Sequence, residues 1–335
     1  MFVQSHPAEC PFTRDTANDV ASNRLETASI PWFFLVFPKV RTPEFPFFMR
    51  SPTFSFSPTY LTGTSAWAGH LPFAYDLMKA LAPSLFVELG TWNGDSFFTF
   101  CQSVAENHLS TICYAVDLWT GDEQTGAADS AQYSRVQSHC SSNYQGFAYL
   151  MRTDFASASR EFSDGQIGLL HIDGLHTYDA VSADFNAWFP KVREGGIILF
   201  HDISIRSSTD HPDFGVWKFW DELALKHRTF QFTHGCGLGI LVKGENPDAV
   251  AWLTEVMGEY RSYYSTRGSD IQRVGEGVQA MEHIRAQAGH INNLQHSVSK
   301  LKELEQSHQV TLRHIDEWNR RPWFQRALHK LRVQG

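Results

Sequence analysis

Two segments of the chain carry ionisable side chains directly out of apolar runs. "LLHIDGLHTYD" spans Leu169 to Asp179, and "GIILFHDI" places His201 and Asp202 after Ile197, Ile198, Leu199 and Phe200. If each run is a buried strand, Asp173 ends one and the His201-Asp202 pair ends the next. Adjacent parallel strands lie about 4.8 Å apart, so the three side chains can converge on one ion. Two carboxylates and an imidazole suit a divalent cation: Mg²⁺ through the oxygens, and Mn²⁺ or another transition metal if His201 also binds. Such an ion lowers the pKa of a bound hydroxyl, and a nearby imidazole can take the proton. His176, three residues past Asp173, is placed for that base role, with His201 the alternative if it is not a ligand. The catalytic candidates are therefore Asp173, His176 and His201, and the metal candidates Asp173, His201 and Asp202. His171 lies inside the apolar run and reads as a core histidine.

A second constellation lies upstream in "VELGTWNG". A buried strand runs into Glu88, Gly90 and Gly94 frame a tight turn, and a helix opens with Asp95 and Ser96. Glycines there let the backbone approach a ligand and adopt angles closed to other residues. The next strand, "ICYAVD", also ends in an acid, Asp117, which can accept ribose hydroxyl protons. Neither G-x-G-x-x-G nor G-x-x-x-x-G-K-[ST] is present, so a nucleoside without a pyrophosphate fits better than NAD or ATP. Glu88 favours a cationic ligand, such as the sulfonium and ammonium groups of S-adenosylmethionine.

These residues need a scaffold that brings strand ends to one edge. From Trp67 onward, short apolar strands ("LFVEL", "ICYAVD", "FAYLM", "IGLLHID", "GIILFHD") alternate with helical patterns near Leu71–Leu81, Asp95–Asn107, Ala128–Ser141, from Asp154 and from Thr177. That alternation predicts an α/β fold with a mostly parallel sheet covered on both faces. After the amphipathic "FGVWKFWDELALKH", the runs "FQFTH" and "LGILVKG" predict a hairpin and an antiparallel final strand. Ligands of such sheets bind beyond the carboxyl ends of the strands.

"FVELGTWNGDS", "YAVDLW", "LMRTDF", "LLHIDGLHTYDAV" and "GGIILFHDI", in this order and spacing, resemble the class I S-adenosylmethionine-dependent methyltransferases. They are most similar to the branch with macrocin-type sugar O-methyltransferases and cephalosporin-hydroxylase-like proteins, over about Ala66 to Gly244. The resemblance implies a Rossmann-like doubly wound, seven-stranded sheet. It implies that Glu88, Gly90, Thr91, Gly94 and Ser96 surround the methionine part of the cofactor, that Asp117 holds the ribose, and that Asp154 sits by the adenine. Thr153 stands where the family often has glycine, and His201 stands where its metal-dependent members carry an acid. The implied reaction is in-line methyl transfer to a hydroxyl on a sugar or glycan intermediate, with Mg²⁺ or Mn²⁺ assisting. The alternative is an assembly module that binds the cofactor without turnover.

With 42% apolar and 19% charged residues, the chain is globular, and its formal charge of -8 and the absence of a basic-aromatic block through the middle argue against nucleic-acid binding. Five scattered cysteines without CxxC spacing indicate structural thiols in a reducing compartment. No secretory leader is evident, and "PWFFLVF" is too short to span a bilayer, so a cytoplasmic location is expected. Residues 1–60 read as an irregular, poorly ordered extension, within which Met49 is a candidate alternative start. The domain is expected over 66–244, with an acceptor pocket drawn from Gly121–Ser130, Ser204–Phe214 and the extension. Residues 250–335 read as a helical tail in which Ile291, Leu294, Val298, Leu301, Glu305, His308, Leu312 and Ile315 step by threes and fours. This is a heptad seam suited to a coiled coil and a homo-oligomer. The basic, aromatic end "WNRRPWFQRALHKLR" suits the inner face of a membrane or a glycosyltransferase-type partner.

Overall fold

The computed structural model describes residues 51–63, 65–122, 126–127, 131–206 and 213–333. Met49, Cys10, the "PWFFLVF" run and parts of the two loops expected around the acceptor lie outside these residues. The main sheet has seven strands: β1 (Leu85–Leu89), β2 (Ile112–Asp117), β3 (Ala148–Arg152), β4 (Ile167–Ile172), β5 (Val192–His201), β6 (Arg228–Phe232) and β7 (Leu238–Val242). Their spatial order is β3-β2-β1-β4-β5-β7-β6. The first five are mutually parallel, and β7 runs antiparallel to both of its neighbours. This is the mostly parallel, doubly wound sheet expected, with the antiparallel strand inserted between β5 and β6.

Both faces of the sheet are buried, which explains why its central strands are apolar almost throughout. Phe86, Leu169, Ile197, Leu199 and Ile240 point to one core, shared with helices α1 (Leu71–Leu81) and α2 (Asp95–Glu106). Val87, Leu170, Ile172, Ile198 and Phe200 point to the other, with α5 (Tyr178–Trp188) and α6 (Val216–Ala224). Two further helices, α3 (Gln132–Asn143) and the short α4 (Phe155–Ser159), connect β2, β3 and β4. Local chemistry sets several ends. Asp154 caps α4 and Thr177 caps α5 through side-chain oxygens, and Ala82 closes α1 in the left-handed region before Pro83. Cys101, Cys113 and Cys140 are buried in the packing, as expected of structural thiols.

Residues 51–63 form neither helix nor strand, and they are pinned to the domain. Asp95 at the start of α2 accepts the Thr62 N–H at 2.7 Å and its hydroxyl at 2.5 Å, and the Tyr60 hydroxyl donates to the Asn93 carbonyl at 2.9 Å. On the other side, Arg267 donates to the Phe56 carbonyl and Tyr264 to Asp76, which also accepts the Thr53 N–H.

After α7 (Pro247–Glu255) and a π-helical turn over Val256–Tyr260, the 60-residue helix α8 (Arg261–Arg320) begins. Only its root is buried, through Tyr264, Gly268, Ile271 and Gly275. Two glycine contacts set that approach. A Cβ on Gly268 would lie 1.7 Å from the Gly69 carbonyl oxygen, and one on Gly63 would lie 1.9 Å from that of Gly275. We expect Gly268→Ala to lower the melting temperature by about 5 °C or more, because backbone rather than a side chain must yield. Gly277, which faces open space, is the control: Gly277→Ala should be neutral or stabilising by up to about 1 kcal/mol. Equal melting temperatures for the two variants would refute this packing account. The last helix, α9 (Trp323–Val333), follows Pro322. Among the described residues, no helix is long and apolar enough to cross a membrane.

Candidate active site

Strand register brings the chemistry to one edge. Leu89 pairs with Val116 and Ile172, and Ile172 pairs with Phe200. Each of these residues is therefore followed by a turn at the same sheet edge: Gly90 after β1, Asp117 at the end of β2, Asp173 after β4, and His201 and Asp202 at the end of β5. Gly90 has φ +83, and a Cβ there would lie 1.9 Å from the Asp173 carbonyl oxygen. Only glycine lets the cofactor-type turn and the Asp173 loop pass so closely.

These residues line one crevice of about 420 Å³, within the usual range for small-ligand sites. Gly90, Thr91, Gly94, Ser96, Asp117 and Asp154 line it together with Asp173, His176, His201 and Asp202. Glu88 does not. It is fully buried beneath the turn, and its Oε2 lies 2.9 Å from His171 Nδ1. The Trp67 indole, which can only donate, bonds His171 Nε2 at 2.9 Å, so the imidazole proton sits on Nδ1 and is donated to Glu88. His171 is the satisfied core histidine expected from its place in the strand. Burial pushes the Glu88 carboxyl above its ordinary range.

Asp117 is more committed than sequence reasoning allowed. Its Oδ2 accepts the N–H groups of Thr91 at 3.0 Å and Trp92 at 2.8 Å, and its Oδ1 accepts that of Trp119 at 2.6 Å. The carboxylate thus holds the glycine turn in place, with acceptor capacity left on Oδ1 for a ribose hydroxyl. Asp154 spends Oδ1 on the Ser157 N–H at 2.7 Å, which draws its pKa down. The crevice also contains residues that sequence reasoning missed: Ser65, Ala66, Trp92, Leu118, Gln132 and Phe155. Trp92 and Leu118 leave 39% and 48% of their surface exposed at this site, forming an apolar wall. Their only sequence signal was adjacency to Gly90 and Asp117.

The rim is a compact charge cluster. His201 Nδ1 lies 3.4 Å from both Asp173 Oδ1 and Asp202 Oδ1, and His176 Nε2 lies 2.8 Å from Asp202 Oδ2. The His176 ring stacks on Phe214 at 4.7 Å. One ligand atom from each of Asp173, His201 and Asp202 lies within 4.8 Å of the others. Atoms about 2.1 Å from a common cation stand roughly 3.0–3.5 Å apart when adjacent in octahedral or tetrahedral geometry, and the two His201–carboxylate separations fall in that range. The tautomer fits as well. His201 Nε2 sits 2.9 Å from the Gly235 carbonyl, which can only accept, so a neutral ring turns its Nδ1 lone pair toward the two carboxylates. Asp202 has φ +62, a left-handed conformation that Asp tolerates and that aims its carboxylate at the cluster.

Charges in the cluster reinforce one another. Burial alone would lower the His176 pKa, but hydrogen bonds to Asp173 and Asp202 outweigh it and carry the group up to about 9. His201 is likewise raised well above its usual value against the effect of burial, by the charges of Asp202 and Asp173. Both carboxylates are held well below their ordinary range despite burial, chiefly by His201. The two carboxylates therefore demand positive charge at this spot, which protons or a dication can supply.

Beneath the same loop, Asp184 on α5 has its Oδ2 beside Gly174, and burial pushes its pKa from 3.8 up to about 7. The folded state thus holds this proton more tightly than the unfolded one. Its contribution is favourable below about pH 4 and is lost as pH rises toward 7. Asp184→Asn should change stability little near pH 4 and raise it by up to about 4 kcal/mol at pH 8, as measured by urea unfolding. Equal stabilisation at both pH values would contradict the assignment.

Comparison with known proteins accords with this geometry. Residues 87–203 match the family model described as a methyltransferase domain. A protein of Sinorhizobium fredii (strain NBRC 101917 / NGR234), y4gI, described as uncharacterized, is 43% identical over 188 residues, covering 56% of this chain. The match spans only 20% of that relative's length. Among solved structures, the SAH-bound Podospora anserina methyltransferase PaMTH1 is 10% identical with TM-score 0.42, covering 52% of this chain and 78% of that one. The O-methyltransferase TomG from Streptomyces achromogenes, in complex with SAM, is 12% identical with TM-score 0.41, covering 54% and 82%. The matched residues 87–203 run from within β1 to just past the end of β5, the stretch that supplies most of the crevice.

Proposed function

We propose that the chain transfers a methyl group from S-adenosylmethionine to a hydroxyl on a sugar or glycan-type acceptor, with a divalent metal held by Asp173, His201 and Asp202. The observation that carries this reading is that the glycine-turn half of the crevice and the carboxylate–histidine rim share one cavity. A methyl donor lying along Gly90–Gly94 would then end beside the acceptor-activating groups. The sugar preference rests on the motif resemblance alone.

On this reading the residues divide the work. Asp117 and the Thr91 and Trp92 N–H groups keep the turn rigid, so the donor is oriented before reaction, and orientation supplies much of the rate in a displacement at carbon. Trp92, Leu118 and Phe155 exclude water from the donor. A bound dication would supply Lewis-acid lowering of the acceptor hydroxyl's pKa. Asp173 and Asp202 provide the charge that holds it, and Gly235 keeps the His201 lone pair directed inward. His176 donates to Asp202 when the carboxylate is uncompensated. Once positive charge neutralises that carboxylate, the imidazole can release its proton and serve as base at neutral pH.

The test is a methyl-release assay across sugar, phenol and amine acceptors, with and without Mn²⁺ and a chelator. Turnover of a hydroxyl acceptor that collapses on chelation and returns with Mn²⁺ supports the reading. Chelator-insensitive turnover removes the metal from it, and turnover of amines alone removes the hydroxyl. The alternative, a cofactor-binding assembly module, draws on the exposed length of α8. It is favoured if S-adenosylmethionine binds and no acceptor turns over.

A further inference from the structure

Beyond its buried root, α8 carries a seam against which none of the described residues packs. Ile291, Leu294, Val298, Leu301, Leu312 and Ile315 are each 48–64% exposed. They fall on the two apolar positions of consecutive heptads, with Ile291, Val298, Glu305 and Leu312 in one row and Leu294, Leu301, His308 and Ile315 in the other. Such a stripe on a helix in water calls for a matching helix, and a strict seven-residue repeat selects a coiled-coil partner.

We propose that α8 pairs antiparallel with α8 of a second copy of this chain, in the register that places Glu305 of each copy against His308 of the other. The two polar interruptions decide the orientation. In a parallel pair, equivalent residues face each other, so Glu305 would meet Glu305 and His308 would meet His308 in consecutive layers. That buries two like carboxylates side by side, a costly arrangement. In the antiparallel register each carboxylate accepts a hydrogen bond from an imidazole instead. The same register sets Leu301 against Leu312 and Val298 against Ile315, so two apolar layers flank the polar pair on each side, while Leu294 and Ile291 fall opposite Asn319 and Pro322 at the edge of the seam. This alignment pairs both polar positions and the apolar ones nearest them, and polar residues in a seam typically specify orientation in this way.

The seam midpoint lies some 30 residues beyond Gly275, so at 1.5 Å per residue the helix roots of the two copies stand about 90 Å apart. The pair is thus a strut that holds two catalytic domains at opposite ends.

Disulfide trapping on the full chain tests the arrangement. Light scattering should give twice the chain mass. Oxidation of the double variant Val298→Cys/Ile315→Cys should yield interchain 298–315 links by peptide mass spectrometry, while the single variant Val298→Cys should not link to itself. Glu305→His should weaken dimerisation at least tenfold, and the swap Glu305→His/His308→Glu should restore it. Far-UV circular dichroism confirms that each variant remains helical. A monomer or trimer, efficient self-linking of Val298→Cys, or failure of the swap to restore dimers overturns the proposal.

Discussion

Replacing Asp173 by Asn is expected to reduce methyl transfer by on the order of a thousandfold or more, while affinity for the demethylated cofactor stays within a few-fold. Asp173 follows β4 in the crevice, with Oδ1 3.4 Å from His201 Nδ1 and 3.8 Å from His176 Nε2. It therefore stands within reach of both the proposed cation cluster and the candidate base. The amide keeps the shape of the carboxylate but removes its charge, so two imidazoles and any dication face Asp202 alone. The main chain of Asp173, which bonds the Leu89 carbonyl at 2.9 Å and packs on Gly90, is untouched. The donor half of the site should survive for that reason. Turnover within tenfold of the unaltered protein would mean that Asp173 merely ends a strand.

Gly90→Ala should fail in the opposite way, losing cofactor binding and fold stability together. A methyl group at φ +83 costs about 1 kcal/mol in backbone strain. The larger cost is steric, because that methyl would sit 1.9 Å from the Asp173 carbonyl oxygen and 2.7 Å from its carbon. Both sides of the contact are main chain, and both are tied to the sheet: the Gly90 N–H bonds Val116 and the Asp173 N–H bonds Leu89. Neither can retreat without breaking a strand end, so a loss of about 3 kcal/mol or more and a fall in melting temperature near 10 °C are expected. Cofactor affinity should drop at least a hundredfold, since the turn proposed to cradle the donor must move. Gly94→Ala is the graded comparison, because its nearest neighbour is the Phe98 ring, a side chain that can shift. Thermal unfolding and calorimetry together read both effects, and wild-type affinity in Gly90→Ala would contradict the close-packed turn.

Much of this was legible before any coordinates. Apolar runs of five or six residues bounded by glycine, proline and helical patterns mark strands buried on both faces, and β1 and β2 fall where "LFVEL" and "ICYAVD" place them. Strand ends rich in acids pointed to the crevice, because parallel topology sends all of them to one edge. Side-chain partnership was less visible. Glu88 looked like a cofactor contact, but it shares a face with His171 on the adjacent strand and is turned into that pair. Only the β1–β4 register reveals this. The commitment of Asp117 to three N–H groups depends on the left-handed conformations of Trp92 and Trp119, which no propensity predicts for tryptophan. The anchoring of residues 51–63 joins sites far apart in sequence, Thr53 with Asp76 and Phe56 with Arg267, and such contacts leave no local periodicity.

On the proposed function, the glycine turn and the acidic rim form one donor site and one activating site in a single crevice. Calorimetric titration of the full chain with S-adenosylhomocysteine tests it most directly, run on the unaltered protein, Gly90→Ala and Asp173→Asn. One site per chain with a dissociation constant on the order of micromolar is expected, with no detectable binding in Gly90→Ala and a change of only a few-fold in Asp173→Asn. A titration of the unaltered protein that shows no binding, or equal binding by Gly90→Ala, would contradict it.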